Sequence, residues 1–292
     1  MEQKLLDPKD LQLINRLSLV AKRRMAGLIT GEQHSPIQGG GIEFADYREY
    51  QPGDDIRRID WSVFLRLHRL LVKLCAEEKE LTLMVLIDNS RSMHYGAPDK
   101  LWLSERIAAI LAGIVFKDGN RAGIATLGPN LTEIFHPERS RASLSSVSKA
   151  LLKIEPVETS DPVLCIRQFA SRYGHKCLAV LCSDLFYPEW PQVIAGLAAS
   201  GCEGYLIQVL APEELEPAFM GEVTLVDLEG KGEISFHADL GATQQYRREL
   251  ASFLQGVRKT CHRNGLGHTL VRTDTPLARI LQKDLRQEGI LC

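Results

Sequence analysis

Leu81-Thr82-Leu83-Met84-Val85-Leu86-Ile87-Asp88-Asn89-Ser90-Arg91-Ser92 passes from a buried strand straight into a polar loop. An apolar run of this length suits a strand covered on both faces, as in parallel sheets. The rhythm repeats downstream. A helix carries Ile107, Leu111, Ile114 and Val115 on one stripe and ends near Gly119. Ala122–Leu127 reads as a second strand and Leu131–Phe135 as a short edge strand, because Gly128-Pro129-Asn130 between them is hairpin-turn chemistry. Then come helices over Leu144–Leu152 and Val163–Tyr173, a strand over Cys177–Ser183, a helix over Pro191–Ala199 and a strand over Tyr205–Leu210. Val223–Leu228 and Glu233–His237 read as an inserted β-hairpin, about residues 221–238. A long helix with Tyr246, Leu250, Phe253, Leu254, Val257 and Cys261 on one face, a strand over His268–Val271 and a helix opened by Thr275-Pro276 close the pattern. Strands alternating with amphipathic helices predict an α/β fold with a mainly parallel central sheet flanked by helices on both faces.

Upstream the pattern differs. Leu11, Ile14, Leu17, Ala21, Met25 and Leu28 recur at helical spacing behind Asp7-Pro8, predicting one amphipathic helix over Asp7–Leu28. Residues 29–58 have little periodicity and read as ordered loop, with Tyr50-Gln51-Pro52-Gly53-Asp54-Asp55 as its turn. Gly39-Gly40-Gly41 is not followed by Gly-Lys-Ser/Thr and reads as a turn, not a phosphate loop. Trp61–Cys75 alternates apolar with basic residues and suits a strand or hairpin. The expected organisation is an N-terminal helix and extension, 1–77, packed on a main domain, 78–292.

With 292 residues, 45% hydrophobic and 25% charged, the chain has enough apolar residues for a full core. A net charge of -2 with acids and bases mixed argues against nucleic acid as a partner. The longest apolar stretch, Ile107–Phe116, is about half of the ~20 residues a bilayer requires, and the first ten residues lack a signal-peptide core, so no membrane insertion and a cytoplasmic location are expected. Seven cysteines without a C-x-x-C pair read as reduced, mostly buried fillers.

Ligands of open α/β sheets bind beyond the carboxyl ends of the strands. Two strands deliver an aspartate there, Asp88 and Asp184, and the loop Glu158-Thr159-Ser160-Asp161-Pro162 adds hydroxyls and a carboxylate. D-x-S-x-S on a loop leaving a strand aims one carboxylate and two hydroxyls at one point. Mg²⁺ takes such oxygens in an octahedral shell, and a site of few charges leaves a vertex open for an incoming Asp or Glu. Asp and Ser are also common turn and cap residues, so Asp88–Ser92 taken alone reads more often as a structural turn than as a metal site.

The same residues resemble a known family. Asp88-Asn89-Ser90-Arg91-Ser92 is similar to the D-x-S-x-S signature of von Willebrand factor A domains, with Ser160-Asp161 where that family has Thr-Asp and Asp184 as its final acidic ligand. Residues 46–61, Asp46 through Trp61, together with Ala211–Leu215 and Arg272–Leu277, resemble the bacterial family called domain of unknown function 58. The resemblance implies a von Willebrand factor A-like fold and a metal-ion-dependent adhesion site of Asp88, Ser90, Ser92, Ser160 and Asp184 holding Mg²⁺ or Mn²⁺. It further implies a non-enzymatic adaptor role and a MoxR-type AAA+ ATPase partner. Thr159 beside Ser160 is an alternative ligand, and Leu185 stands where the wider superfamily commonly has glycine.

Residues 46–61 also read as a self-satisfied turn and salt-bridge network, with a partner surface at Arg57 and Arg58 as the functional alternative; on an extended segment only one of those two points outward. Against the adaptor stand a metal-assisted phosphoester hydrolase using Asp88 and Asp184, a serine hydrolase, and a structural subunit with a vestigial site. The chain lacks the paired D-x-D of many aspartyl phosphatases and the G-x-S-x-G of serine hydrolases.

Overall fold

The computed structural model describes residues 5–19, 42–77, 81–138, 143–217, 221–226, 232–238 and 240–292. They form two compact units, Lys22–Glu80 and, around it in sequence, Met1–Ala21 with Leu81–Cys292. The first helix therefore belongs to the larger unit, not with the segment that follows it.

Helix α1 (Pro8–Arg16) starts at Asp7, whose side chain accepts the N–H groups of Lys9 and Asp10 while Asp10 reaches back to the Asp7 N–H. This is a reciprocal capping box. The helix is shorter than its apolar periodicity suggests: Leu17 is already extended, and Ser18 and Cys292 exchange backbone hydrogen bonds beside a Leu19–Leu291 bridge. Pairing with the C-terminal tail takes over the backbone groups that another helical turn would have used. The continuation predicted to Leu28 otherwise lies outside the described residues, as does Gly39–Gly41.

The smaller unit pairs β1 (Ile42–Glu49) antiparallel with β2 (Leu71–Glu77) around helix α2 (Trp61–Leu67). Two expectations change here. β1 lies in the segment read as loop, and the first half of the expected Trp61–Cys75 strand is helical, because Asp60 caps the Ser62 and Val63 N–H groups and His68 ends the helix in a left-handed conformation. Tyr47 donates to Asp60 at 2.7 Å, Arg48 pairs with Asp54 at 2.9 Å, and Gln51 N–H also donates to Asp54. Within residues 46–61, Tyr47 thus pairs with Asp60 and Arg48 with Asp54, while Glu49 pairs outward with Arg69. Arg57 and Arg58 sit in a 3₁₀ turn, not an extended segment, so the alternation argument does not apply. Arg57 is exposed; the side chain of Arg58 lies outside what is described.

In the larger unit, the strands and helices run β3 (Thr82–Asp88), α3 (Lys100–Lys117), β4 (Arg121–Leu127), β5 (Leu131–Glu138), α4 (Ser143–Leu151), α5 (Pro162–Tyr173), β6 (Leu178–Ser183), α6 (Trp190–Ala199), β7 (Glu203–Leu210), α7 (Pro212–Leu215), the antiparallel hairpin β8 (Gly221–Val226) and β9 (Glu233–Ala238), α8 (Leu240–Arg263) and β10 (Gly267–Arg272), followed by helical turns from Leu277 to Gln287. The central sheet has the order β10-β7-β6-β3-β4-β5, parallel except for the β4–β5 edge pair. This is the expected α/β architecture, a mainly parallel central sheet flanked by helices on both faces. Its strand order is doubly wound, reversing direction between β3 and β6.

Burial explains the sequence pattern. Leu83, Val85 and Ile87 of β3 enter the core beneath α1, α3 and α4, while Met84 and Leu86 enter the core beneath α5, α6 and α8. Helix α3 is enclosed nearly all round, with Ile107, Ile110, Leu111 and Ile114 fully buried. Gly113 lets α1 approach it: a Cβ there would lie 2.7 Å from Ile14 Cδ1. Asp10 anchors the same contact from across the sequence by accepting from Arg106 at 2.6 Å. Among the described cysteines only Cys292 is exposed, and the Cys177 and Cys202 thiols lie 3.2 Å apart.

Candidate metal-binding edge of the sheet

The strand order reverses between β3 and β6, and the carboxyl ends of strands at such a switch point are where open α/β sheets receive ligands. Asp88 ends β3 and Asp184 follows β6, so the two carboxylates flank that switch point. Both are fully buried.

Asp88 is held from both sides. Its Oδ1 accepts the Ser90 N–H at 3.0 Å and its Oδ2 accepts the Ser183 hydroxyl at 2.7 Å. Burial, and then the nearby Asp184 charge, push its pKa up to about 6, against the pull of the Ser183 and Ser90 hydrogen bonds. The loop beyond it turns into a short 3₁₀ segment over Arg91–His94 and brings the Ser90 and Ser92 hydroxyl oxygens to 2.9 Å from each other. Metal–oxygen distances of 2.0–2.1 Å in an octahedral shell put adjacent vertices about 2.9 Å apart. The two hydroxyls hydrogen-bond each other at a spacing equal to one edge of a Mg²⁺ shell, beside the Asp88 carboxylate that accepts the Ser90 N–H. Beside them the Asn89 Oδ1 is buried without a hydrogen-bond partner among the described residues.

The loop carrying Ser160 is stitched to this edge by backbone bonds, Val157 N–H to Asn89 and Asp161 N–H to Gly128, and by a Ser90–Val157 bridge. Ser160 donates its hydroxyl to the Leu127 carbonyl at 3.2 Å, and Leu127 is the register partner of Asp88. Thr159 is exposed. Asp161 is spent as the cap of α5, accepting from the Leu164 N–H. The structure thus gathers Asp88, Ser90 and Ser92 into one cluster and sets Ser160 at the same sheet edge with its hydroxyl turned to the backbone.

Asp184 has a partner that sequence reasoning missed. Its Oδ2 accepts from the fully buried Lys100 ammonium at 2.7 Å, and Lys100 also bonds Glu214 Oε1 at 2.5 Å. The remaining Asp184 oxygen accepts the Phe186 N–H, and the remaining Glu214 oxygen the Ala211 N–H. Burial alone would lower the Lys100 pKa, but the Asp184 and Glu214 charges outweigh it and raise it, so the ammonium stays charged. No local signal announces this partner: Lys100 opens α3 directly after the capping Asp99, and Asp184 and Glu214 lie 84 and 114 residues further along the chain. Leu185, in the expected glycine position, has φ +61°, is fully buried and gives its N–H to Ser183 Oγ. The loop keeps the left-handed turn that glycine favours and adds an apolar anchor.

An uncharacterized protein of Mycobacterium tuberculosis is 27% identical over 278 residues, spanning 92% of this chain and 86% of its own length, and one of Mycobacterium bovis matches equally. Among solved structures, the conserved hypothetical protein BatB of Bacteroides thetaiotaomicron is 16% identical with a TM-score of 0.45, covering 71% of this chain and 96% of that one. The manganese-loaded TRAP protein of Plasmodium vivax is 16% identical with a TM-score of 0.33, covering 44% of this chain and 57% of that one. The family model described as "Protein of unknown function DUF58" matches residues 46–259, well over half of the chain, and the protein belongs to that family.

Proposed function

We propose that this protein is a non-enzymatic, metal-assisted binding adaptor. Ser90 and Ser92 hold Mg²⁺ or Mn²⁺ directly, Asp88, Ser160 and Asp184 act directly or through water, and an Asp or Glu of a partner protein completes the shell. The observation that carries the reading is the 2.9 Å Ser90–Ser92 hydroxyl edge backed by the buried Asp88 carboxylate. The two hydroxyls face each other, not a histidine base, which speaks for ligation over nucleophilic chemistry. Family resemblance supports a MoxR-type AAA+ ATPase as partner and a role in protein maturation or assembly. No helix among the described residues is long and apolar enough to cross a membrane, and work in the cytoplasm is part of the proposal. Arg57, exposed on its 3₁₀ turn, and Arg58 are offered as a second partner surface.

The test is capture of the co-expressed ATPase by wild-type protein and by Asp88→Ala, with and without chelator. Metal-dependent capture lost in the variant supports the adaptor; capture indifferent to both changes rejects the metal mechanism. Phosphoester turnover with Mg²⁺, abolished by Asp88→Asn, would instead make the chain a hydrolase. A second reading is favoured by the Lys100–Asp184 pair: a structural subunit whose site needs no metal. It requires a melting temperature unmoved by Mg²⁺ and Mn²⁺, because a ligand bound only by the native state stabilises it.

A further inference from the structure

Asp88, Asp184 and Glu214 gather at this edge of the sheet with, among the described residues, one enclosed ammonium, that of Lys100. Every oxygen of those carboxylates has a donor: Ser90 N–H and Ser183 Oγ at Asp88, Phe186 N–H and Lys100 at Asp184, Lys100 and Ala211 N–H at Glu214. The Tyr95 and Phe186 rings close over the Lys100 ammonium at 5.9 and 5.4 Å. An ammonium enclosed between two anions and two ring faces is held in one geometry, because leaving it would strand buried charges.

We infer that Lys100 is a tethered counter-cation which keeps Asp184 out of direct metal ligation and thereby sets the site to hold its divalent ion weakly. The inference rests on the adaptor reading and deepens it. The ligands left for direct contact are neutral hydroxyls, which bind a hard cation less strongly than carboxylates do. The fixed positive charge also cancels part of the pull that the buried carboxylates exert on an incoming ion. A weakly held ion suits a site in which the partner's carboxylate supplies the missing anionic ligand, so that ion and partner bind each other's complex better than either binds alone.

The experiment is a Mn²⁺ titration of the full chain, counting free ion by its paramagnetic resonance signal. Wild type is compared with Lys100→Met, with the formally charge-balanced pair Lys100→Met/Glu214→Gln, with Glu214→Gln alone, and with Lys100→Met/Glu214→Gln/Asp184→Asn. The charge-balanced pair is expected to bind Mn²⁺ at least tenfold more tightly than wild type, because it frees the Asp184 carboxylate for direct ligation while the net charge around the site stays the same. Adding Asp184→Asn should cancel the gain, since the freed carboxylate is its source. A merely structural lysine predicts the opposite, because damage to the site loosens metal. Equal affinity in wild type and the charge-balanced pair, or the same gain from Glu214→Gln alone, overturns the role of Lys100 and leaves the adaptor standing. Mn²⁺ binding in none of the variants overturns both.

Discussion

Replacing Glu105 with glutamine should remove a pH dependence that the buried carboxyl imposes on the whole fold. Glu105 lies on α3 with only 5% of its surface exposed, and burial first, then the Asp99 charge, push its pKa up from 4.5 to about 8. Below pH 4.5 folded and unfolded chains both hold the proton, so the group contributes its full stability. Between 4.5 and 8 the unfolded chain ionises first, and stability falls by about 1.4 kcal/mol per pH unit. Above pH 8 both forms are ionised and the loss levels off. The cumulative loss is roughly 3 kcal/mol at pH 7 and roughly 5 kcal/mol above pH 8. Glutamine has nothing to titrate, so the variant's advantage over wild type should grow from pH 5 to 8 and then plateau. Urea unfolding of both proteins at each pH from 5 to 9 measures it. Curves that stay parallel over that range would refute the burial argument for Glu105.

Three further outcomes follow from particular contacts. Gly113→Val should destabilise by about 1–3 kcal/mol through overpacking against Ile14, and Ile14→Ala should recover part of that loss in a double-mutant cycle; additive losses would remove the α1–α3 close approach. His268 is buried, its Nε2 lies 3.1 Å from Gln208 Oε1, and Gln208 donates on to the Asp184 carbonyl; burial and then Arg258 lower its pKa to about 4, so stability is full above pH 6.5 and falls by roughly 3 kcal/mol as pH drops to 4. An imidazole titrating near 6.5 by NMR would contradict this. Leu185→Gly relieves a left-handed backbone worth about 1–2 kcal/mol but empties a buried site worth about 2–5 kcal/mol, so the net change in urea unfolding should be a loss, and a gain in stability would show that the apolar anchor is dispensable.

The larger unit was legible where one face of an element repeats in sequence. β3, β6 and β7 announced themselves as apolar runs because each is covered on both sides. The smaller unit misled for the converse reason. Glu43, Asp46, Arg48 and Glu49 make β1 too polar for a core strand, and the apolar–basic alternation from Trp61 to Leu70 imitates a strand while Asp60 caps a helix. Within the site, Asp88, Ser90 and Ser92 could be read together because a single loop carries them. Lys100 could not, since its partners lie 84 and 114 residues away and only the folded sheet brings them together.

The chain leaves the larger unit after residue 21 and rejoins it at residue 81, while Asp10 and Arg106 still meet across 96 positions. Closing a loop costs entropy that grows only logarithmically with its length, so hosting the whole excursion adds about 0.8 kcal/mol to that closure compared with a direct connection. A scaffold of this kind accommodates a guest segment at small thermodynamic cost. The burden falls on kinetics: α1 has a long search before it docks on α3, and loosening that contact should speed unfolding more than it slows folding.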